Sequence, residues 1–416
     1  MTSLRKETTL SNGLTIVTET VDTVRSVALG IWVRTGSRYE PEAVSGISHF
    51  LEHTVFKGTE TRSTYDIAAS LESVGGHLNA FTGKEYTCYH ARFLSEYLED
   101  AVDVLTDILL HPTFPHSEIE REKSVVLDEL RDSQDVPEEV AFEQFEQSLY
   151  PDSSLGRAIL GNESTIKSFD ADKLISYLNE HYSPENTIIV AAGFVDHDEL
   201  VSLLKSKYDR EPQQENDYIK VQPDAYTPGE KITVKDIQQS HLVMGLPVFS
   251  TFDERRYDLA VLNSILSGGM SSRLFQNIRE AHGVAYQIFS FVNLYRDTGS
   301  FGVYLATDPS RREKAVDLTL AELQKLVDEP VDEHELERVK AQYKSGIVMG
   351  DESMERRMLR LGRQQIYYGE NIGLDTFLKK IEGIDADKIN FLARELFNPD
   401  KLFLSVLEPA NGKTIS

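Results

Sequence analysis

The feature that most constrains the fold is an internal repeat in which each copy is about half of the chain. The tetrapeptide DADK at 170–173 returns at 385–388, 215 residues later, and the same offset relates HYSPENTIIVAAG to LFNPDKLFLSVLE. An offset of 214 relates AVD at 101–103 to AVD at 315–317, and an offset of 217 relates HSEIEREK to EHELERVK. Self-similarity at a nearly constant spacing is typical of tandem copies of one structural unit. The 416-residue chain is therefore predicted to contain two copies of one domain.

The hydrophobic periodicities predict that each copy mixes strands and helices. Asn12-Gly13 between two β-rich runs predicts a hairpin with a type I′ turn, and SVALGIWVRTG predicts a buried strand. GGHLNAFTGKEYTCYHARF alternates as strands do, whereas YLEDAVDVLTDILL and SEIEREKSVVLDELRDSQ have helical spacing. Strands in hairpins with helices following in groups favour α+β over a parallel doubly wound sheet. We therefore predict two homologous α/β-sandwich domains, each a mainly antiparallel sheet with helices packed on it.

A polar stretch separates the two copies. Residues 209–230 (DREPQQENDYIKVQPDAYTPGE) contain three prolines and show no periodicity. Such a composition is typical of a linker between domains. The predicted division is a first domain at 1–208, a linker at 209–230 and a second domain at 231–416.

Composition excludes several classes of function. The formal net charge of −25 argues against nucleic acid as a partner and favours basic peptides, although the same charge also serves solubility alone. The single cysteine, Cys88, excludes a disulfide framework within the chain and a thiolate metal cluster. The sequence contains no apolar run of membrane-spanning length and no signal-peptide pattern at its start. These features predict a cytoplasmic protein without a membrane span.

A predicted helix carries the pattern His-x-x-Glu-His at His49, Glu52 and His53, with Ser45 as its expected N-cap. Positions i, i+3 and i+4 emerge from one face of a helix. Two histidines one turn apart can place two ring nitrogens about 2 Å from one Zn²⁺, and Glu52 could reach a metal-bound water. The same pattern also fits a helix that has only a polar face, so the motif alone leaves both interpretations open.

A catalytic zinc site needs a third protein ligand. Glu122 and Glu129 lie on another predicted helix, seven residues and two turns apart, and so share a face. Nothing in their spacing from the histidines decides between them on physical grounds.

These residues together resemble the inverted-zincin peptidases of the pitrilysin, or M16, family. The resemblance rests on His-x-x-Glu-His followed by Glu122 and Glu129, and on GSRYEP, SGISHFLEHTVFKGT, LNAFT and SGGMSSRLFQNIRE. It covers essentially the whole chain. These motifs are most similar to the processing-peptidase branch, which includes the mitochondrial processing peptidase β subunit and bacterial single-chain counterparts.

The resemblance implies a zinc-dependent endopeptidase that cleaves peptides or unfolded segments in a closed chamber. It implies one Zn²⁺ per chain, held in the first domain by His49, His53 and Glu129. Glu52 would be the general base, and Glu122 a carboxylate that orients a ligand.

The resemblance also implies two regions that bind substrate. The strand containing Asn79, Ala80 and Phe81 would pair with an extended peptide through main-chain hydrogen bonds, although Phe81 equally fits an ordinary sheet strand. The second domain lacks the metal motif and is expected to be non-catalytic. It carries Arg279 and Tyr286, which would bind the substrate backbone and stabilise the developing oxyanion.

Two other functions stay open. A non-catalytic scaffold subunit is one, although such relatives typically lack metal or base residues that are present here. An active subunit that needs an inactive partner chain is the other. Because one chain carries both the metal motif and the Arg279–Tyr286 pair, a homodimer with two equal sites is favoured.

Overall fold

The structure, a computed structural model, describes residues 4–208, 226–370 and 372–410. The strands in chain order are β1 (Leu4–Thr9), β2 (Thr15–Thr20), β3 (Ser26–Val33), β4 (His77–Thr82), β5 (Thr87–Leu94), β6 (Thr187–Gly193), β7 (Gly229–Lys235), β8 (Ser240–Val248), β9 (Ala285–Leu294), β10 (Gly299–Thr307) and β11 (Phe403–Pro409). The α-helices in chain order are α1 (Ile47–Thr54), α2 (Thr64–Glu72), α3 (Leu98–Leu110), α4 (His116–Asp135), α5 (Pro137–Leu149), α6 (Glu163–Ser168), α7 (Ala171–His181), α8 (His197–Lys207), α9 (Arg256–Ser267), α10 (Arg312–Asp328), α11 (Glu333–Gly350), α12 (Met354–Tyr368), α13 (Leu374–Glu382) and α14 (Ala386–Leu396).

The described residues form two compact units, each with its own sheet. In the first unit the strand order is β1-β2-β6-β3-β5-β4, and in the second it is β7-β11-β8-β10-β9. Neighbouring strands run antiparallel except for the pairs β2–β6 and β7–β11, which are parallel. Helices pack on each sheet, so the predicted α+β class with two homologous domains is confirmed.

The sheet register repeats between the two units. Val27 pairs with Gly193 in the first sheet, and His241 pairs with Leu407, each 214 residues later, in the second. The internal repeat of the sequence therefore corresponds to equivalent pairings of backbone strands.

Each unit contains one helix that comes from the other half of the chain. Helix α5 comes from the first half but belongs to the second unit, whereas α12 comes from the second half and belongs to the first unit. No pattern in the sequence indicated this exchange. Most of the predicted linker, residues 209–225, lies outside the described residues, and Gly229 and Glu230 already begin β7. The domain boundaries at 208 and 231 stay a prediction.

Strand β3 shows why the exchanged helix is needed. Every residue of β3 after Ser26 is buried, because helices cover both faces of the sheet at this strand. Helix α12 packs so closely on one face that a Cβ on Gly362 would lie 2.1 Å from the Trp32 ring. Two-sided burial explains why the sequence of β3 is an unbroken apolar run rather than an alternating one.

The first hairpin is present, but its turn differs from the prediction. Strands β1 and β2 pair antiparallel, and the Leu10 amide donates to the Leu14 carbonyl. A type I′ turn needs a positive φ at both central residues, yet only Gly13 of the pair Asn12-Gly13 has one, at 91°. The loop therefore has three residues with glycine in the left-handed region, and the type I′ prediction is wrong.

Candidate metal centre

The predicted metal-binding helix exists as α1, which packs against β4 and α7. The N-cap of α1 is Gly46, one residue after the predicted N-cap Ser45. Gly46 adopts a φ of 93°, and a Cβ there would lie 2.5 Å from the Leu160 carbonyl oxygen, so both conformation and space require glycine. The helical spacing places His49, Glu52 and His53 on one face.

Helix α4 brings Glu129 to the two histidines. The Nε2 of His49 lies 3.7 Å from Oε1 of Glu129, and the Nε2 of His53 lies 3.5 Å from Oε2 of Glu129. One ligand atom from each of the three residues falls within 4.8 Å of the other two. Two atoms that are both about 2.1 Å from a tetrahedral zinc ion are ~3.4 Å apart. These residues therefore fit a zinc ion, and no other such group of His, Cys, Asp or Glu occurs among the described residues.

Glu122 lies on the other side of the His53 ring. Its carboxylate is 3.2 Å from Nδ1 of His53 and 2.9 Å from the Lys57 ammonium, and the residue is only 3% exposed. Burial raises the pKa of Glu122, but the hydrogen bonds from His53 and Lys57 outweigh that effect and lower it overall. An ionised Glu122 accepts a hydrogen bond from Nδ1–H of His53, and in that neutral tautomer the lone pair lies on Nε2, on the Glu129 side.

His49 is suited to bind a cation because it stays neutral. Burial, and then the neighbouring His53, lower the pKa of His49 to about 4. His49 is 8% exposed, and its Nδ1 has no hydrogen-bond partner among the described residues. At neutral pH the imidazole can therefore donate a lone pair to a metal ion.

Glu52 lies beside the three-residue cluster without belonging to it. Its carboxylate accepts a 2.6 Å hydrogen bond from the Thr82 hydroxyl at the end of β4. Burial raises the pKa of Glu52 overall; Thr82 and His53 partly offset this, and Glu129 adds to it. A carboxylate held next to a metal-ligand cluster, with its proton affinity increased, has the properties of a general base.

Strand β4 is an edge strand, hydrogen-bonded to β5 on one side only in the described sheet. Asn79 is exposed, whereas Ala80 is partly buried and packs against the main core of the first unit. Phe81 points to the opposite face, where its ring meets Trp32 edge-on at 5.8 Å between centroids. Only the backbone of this strand and Asn79 are therefore placed as a binding edge would be, while Phe81 has a packing role of its own.

The second unit brings Arg279 and Tyr286 together. A π-helix at Phe275–Glu280 carries Arg279, whose guanidinium carbon is 5.0 Å from the centre of the Tyr286 ring. The β9–β10 register shifts at Tyr286, since Ala285 pairs with Thr307 but Gln287 pairs with Ala306. A bulge of this kind redirects a side chain, and Tyr286 is 77% exposed.

Two residues next to the metal centre were missed by sequence analysis. Lys57 pairs with Glu122 from the short 3-10 turn Val55–Lys57 that follows α1, where the spacing of the α-helix no longer applies and gave no signal. Thr82 carried no signal, because its contact with Glu52 depends on how β4 packs against α1.

Comparison with known proteins places the chain in a family. Residues 15–163 match the sequence model described as "Insulinase (Peptidase family M16)", and residues 168–343 match "Peptidase M16 inactive domain". The "Uncharacterized zinc protease YmxG" of Bacillus subtilis is 37% identical over 408 residues, which cover 98% of this chain and 99% of that protein. An "Uncharacterized zinc protease" of Rickettsia felis is 37% identical over 94% of both chains.

A solved structure supports the same assignment at the level of fold. The crystal structure of a protease from Helicobacter pylori superimposes with a TM-score of 0.90, covering 98% of this chain and all of that one, at 20% identity. With both family models matched in order along the chain and relatives of equal length, the protein belongs to peptidase family M16.

Proposed function

We propose that the protein is a zinc-dependent endopeptidase that cleaves peptides or unfolded segments. The observation that carries this proposal is the convergence of His49, His53 and Glu129 from two helices, with Glu52 held beside them by Thr82. Relatives that match the whole chain are named zinc proteases, which supports the same chemistry. A scaffold function would leave this arrangement without a purpose.

The residues of the centre fall into three roles in this proposal: metal ligands, residues that orient a ligand, and the general base. His49, His53 and Glu129 hold one Zn²⁺ per chain, and Glu122 with Lys57 fixes the ring of His53. A bound zinc ion makes water acidic near neutral pH and polarises the scissile carbonyl. Glu52 accepts the proton of the attacking water and delivers it to the leaving amine, a transfer that its raised pKa favours.

The substrate is proposed to bind as an extended chain along β4. The open edge of this strand offers main-chain donors and acceptors, and the strand ends at Thr82, which contacts Glu52. A peptide paired with Asn79, Ala80 and Phe81 would therefore run towards the general base. Only an unfolded segment can pair in this way, and a closed chamber would exclude folded proteins in addition.

The proposed assembly is a homodimer in which Arg279 and Tyr286 bind substrate. The exposed tyrosine ring, with the guanidinium group against it, presents two hydrogen-bond donors to an incoming peptide. The presence of this pair on the same chain as the metal motif weighs against a need for an inactive partner chain. Across the described residues, no helix is long and apolar enough to cross a membrane. The cytoplasmic location and the absence of nucleic-acid binding stay predictions.

The proposed function is tested with peptides of matched length and different charge. We expect unstructured peptides of some tens of residues to be cleaved and a stably folded protein to stay intact. The net charge of −25 should make a basic peptide about 10-fold faster than an acidic one at low salt, with the difference shrinking as salt screens the attraction. Rates are measured by mass spectrometry, with a neutral peptide as the control. Equal cleavage rates for the basic and the acidic peptide at low salt would contradict the proposed electrostatic preference. Cleavage of the folded protein would contradict substrate binding along the edge strand.

A further inference from the structure

The helix that carries the metal-binding residues has no cap of its own. Its N-cap, Gly46, has no side chain to accept a hydrogen bond, and the first turn contains no acidic residue. The first N–H groups of any helix lack partners within the helix. With only eight residues, α1 depends on an outside acceptor to fix its first turn.

The carboxylate of Glu40 is that acceptor. Its Oε2 accepts the N–H of Gly46 at 2.6 Å, and its Oε1 accepts the N–H of Ser48 at 2.8 Å. Glu40 is 1% exposed, and the hydroxyl of Ser48 is held in turn by the Tyr177 hydroxyl at 2.8 Å. Negative charge at a helix N-terminus also stabilises the helix dipole. The residue directly before His49 is therefore fixed by two buried side chains.

Burying the carboxylate of Glu40 costs folding free energy. Burial raises the pKa of Glu40 to about 7, although the N–H groups of Gly46 and Ser48 and the charge of Arg157 act in the opposite direction. A Ser or Asp N-cap cannot replace this carboxylate, because Gly46 has a φ of 93° and no space for a Cβ, so the acceptor has to come from a residue outside the helix.

The second domain has no buried carboxylate at the position equivalent to Glu40. The residue 214 positions after Glu40 is Glu254, whose side chain is 66% exposed and pairs with Lys380 at 2.6 Å. The helix that follows β8, α9, has Arg255 as its N-cap and no side-chain cap. The repeated fold therefore forms without such a group, and the copy that has it is the copy with the metal-binding residues.

We propose that Glu40 is a positioning residue of the metal centre, which holds the first turn of α1 so that His49 keeps its place opposite Glu129. This inference rests on the proposed function. His49 follows Ser48 directly, whereas His53 is fixed separately by Glu122. Loss of the Glu40 contact should therefore displace His49 relative to His53 and spoil the spacing of the ligand atoms.

The test compares Glu40→Gln with Glu254→Gln. The side-chain amide in Glu40→Gln keeps one acceptor but turns an NH₂ group towards the second backbone N–H. We expect the zinc dissociation constant of Glu40→Gln, measured by competition with a chromogenic chelator, to rise about 10- to 100-fold, the range known for residues that orient metal ligands. The kcat should fall while KM stays within about twofold of the wild-type value, because the substrate edge at β4 is untouched. Glu254→Gln should match the wild type in all three measurements.

Each outcome decides between alternatives. If Glu40→Gln lowers the melting temperature of the metal-free protein but the folded protein binds zinc as tightly as wild type, Glu40 is only structural and the inference is overturned. Should Glu40→Gln fail to fold, Glu40→Asp decides, because its shorter carboxylate keeps the charge but reaches only one N–H group; wild-type zinc affinity would then overturn the inference. A wild type that binds no zinc would overturn the proposed function together with this inference.

Discussion

Replacing Glu52 by glutamine should abolish peptide cleavage while zinc binding and the fold are kept. Glutamine has the same shape and can still accept the hydrogen bond from Thr82, but it cannot take a proton from water. Loss of a general base typically costs 10²- to 10⁴-fold in rate, and we expect a loss of about 10³-fold in kcat. The rate is measured on an unstructured peptide, with zinc content determined on the same sample.

The stability of the Glu52→Gln variant provides a second readout. Burial raises the pKa of Glu52, so its ionised form at neutral pH costs folding free energy, and this cost increases as pH rises through that pKa. Neutral glutamine removes the cost, and the melting temperature of the metal-free variant should not fall. Glu72→Gln, an exposed change on α2, is the matched control and should keep full activity. Near-normal turnover by Glu52→Gln would show that another group is the base.

Mixing two inactive variants should restore activity if two chains build each site. A Glu52→Gln chain keeps Arg279 and Tyr286, and a Tyr286→Phe chain keeps the metal centre. Removing one oxyanion donor costs about 10²- to 10³-fold in kcat, so each variant alone should be nearly inactive. A mixed dimer would contain one site with both intact parts and one with both impaired. Each mixed dimer should therefore have up to about half of the wild-type activity, and because random exchange of an equal mixture makes half of the dimers mixed, the whole sample should reach about a quarter.

The control for this experiment is Tyr65→Phe, since Tyr65 is as exposed as Tyr286, at 78% against 77%. That variant should be fully active alone. No recovery in a sample shown to contain mixed dimers would mean that Arg279 and Tyr286 act within their own chain or do not act. Full activity of a wild type that sediments only as a monomer would contradict the homodimer.

Local patterns predicted the parts of the centre that are local in the structure. The helical spacing of His49, Glu52 and His53 is a property of α1 alone. The repeat correctly predicted two homologous domains, and the structure adds that their strands pair equivalently. The choice between Glu122 and Glu129 came from the family resemblance and could not be made from spacing, because it depends on how α4 packs beside α1. In the structure Glu129 faces both Nε2 atoms and Glu122 faces Nδ1 of His53.

Other features escaped prediction for the same reason. An amphipathic helix shows that one face is buried but not which sheet buries it, so the exchange of α5 and α12 left no signal. The cap of α1 comes from Glu40, six residues before Gly46, whereas capping rules examine only the residues at the helix start. The turn at Asn12-Gly13 was misjudged because the dipeptide favours one turn type without fixing the loop length.

The central claim, a catalytic zinc centre at His49, His53 and Glu129, is tested most directly by measuring metal content and cleavage on the same purified samples. The wild type reconstituted with zinc should contain about one zinc ion per chain and cleave an unstructured peptide, lose both properties on chelation, and regain both when zinc returns. His49→Ala and His53→Ala should fold but retain almost no zinc, because one of three ligands is missing from an open site. A folded wild type that takes up no zinc on reconstitution, or that cleaves equally well after complete metal removal, would contradict the account.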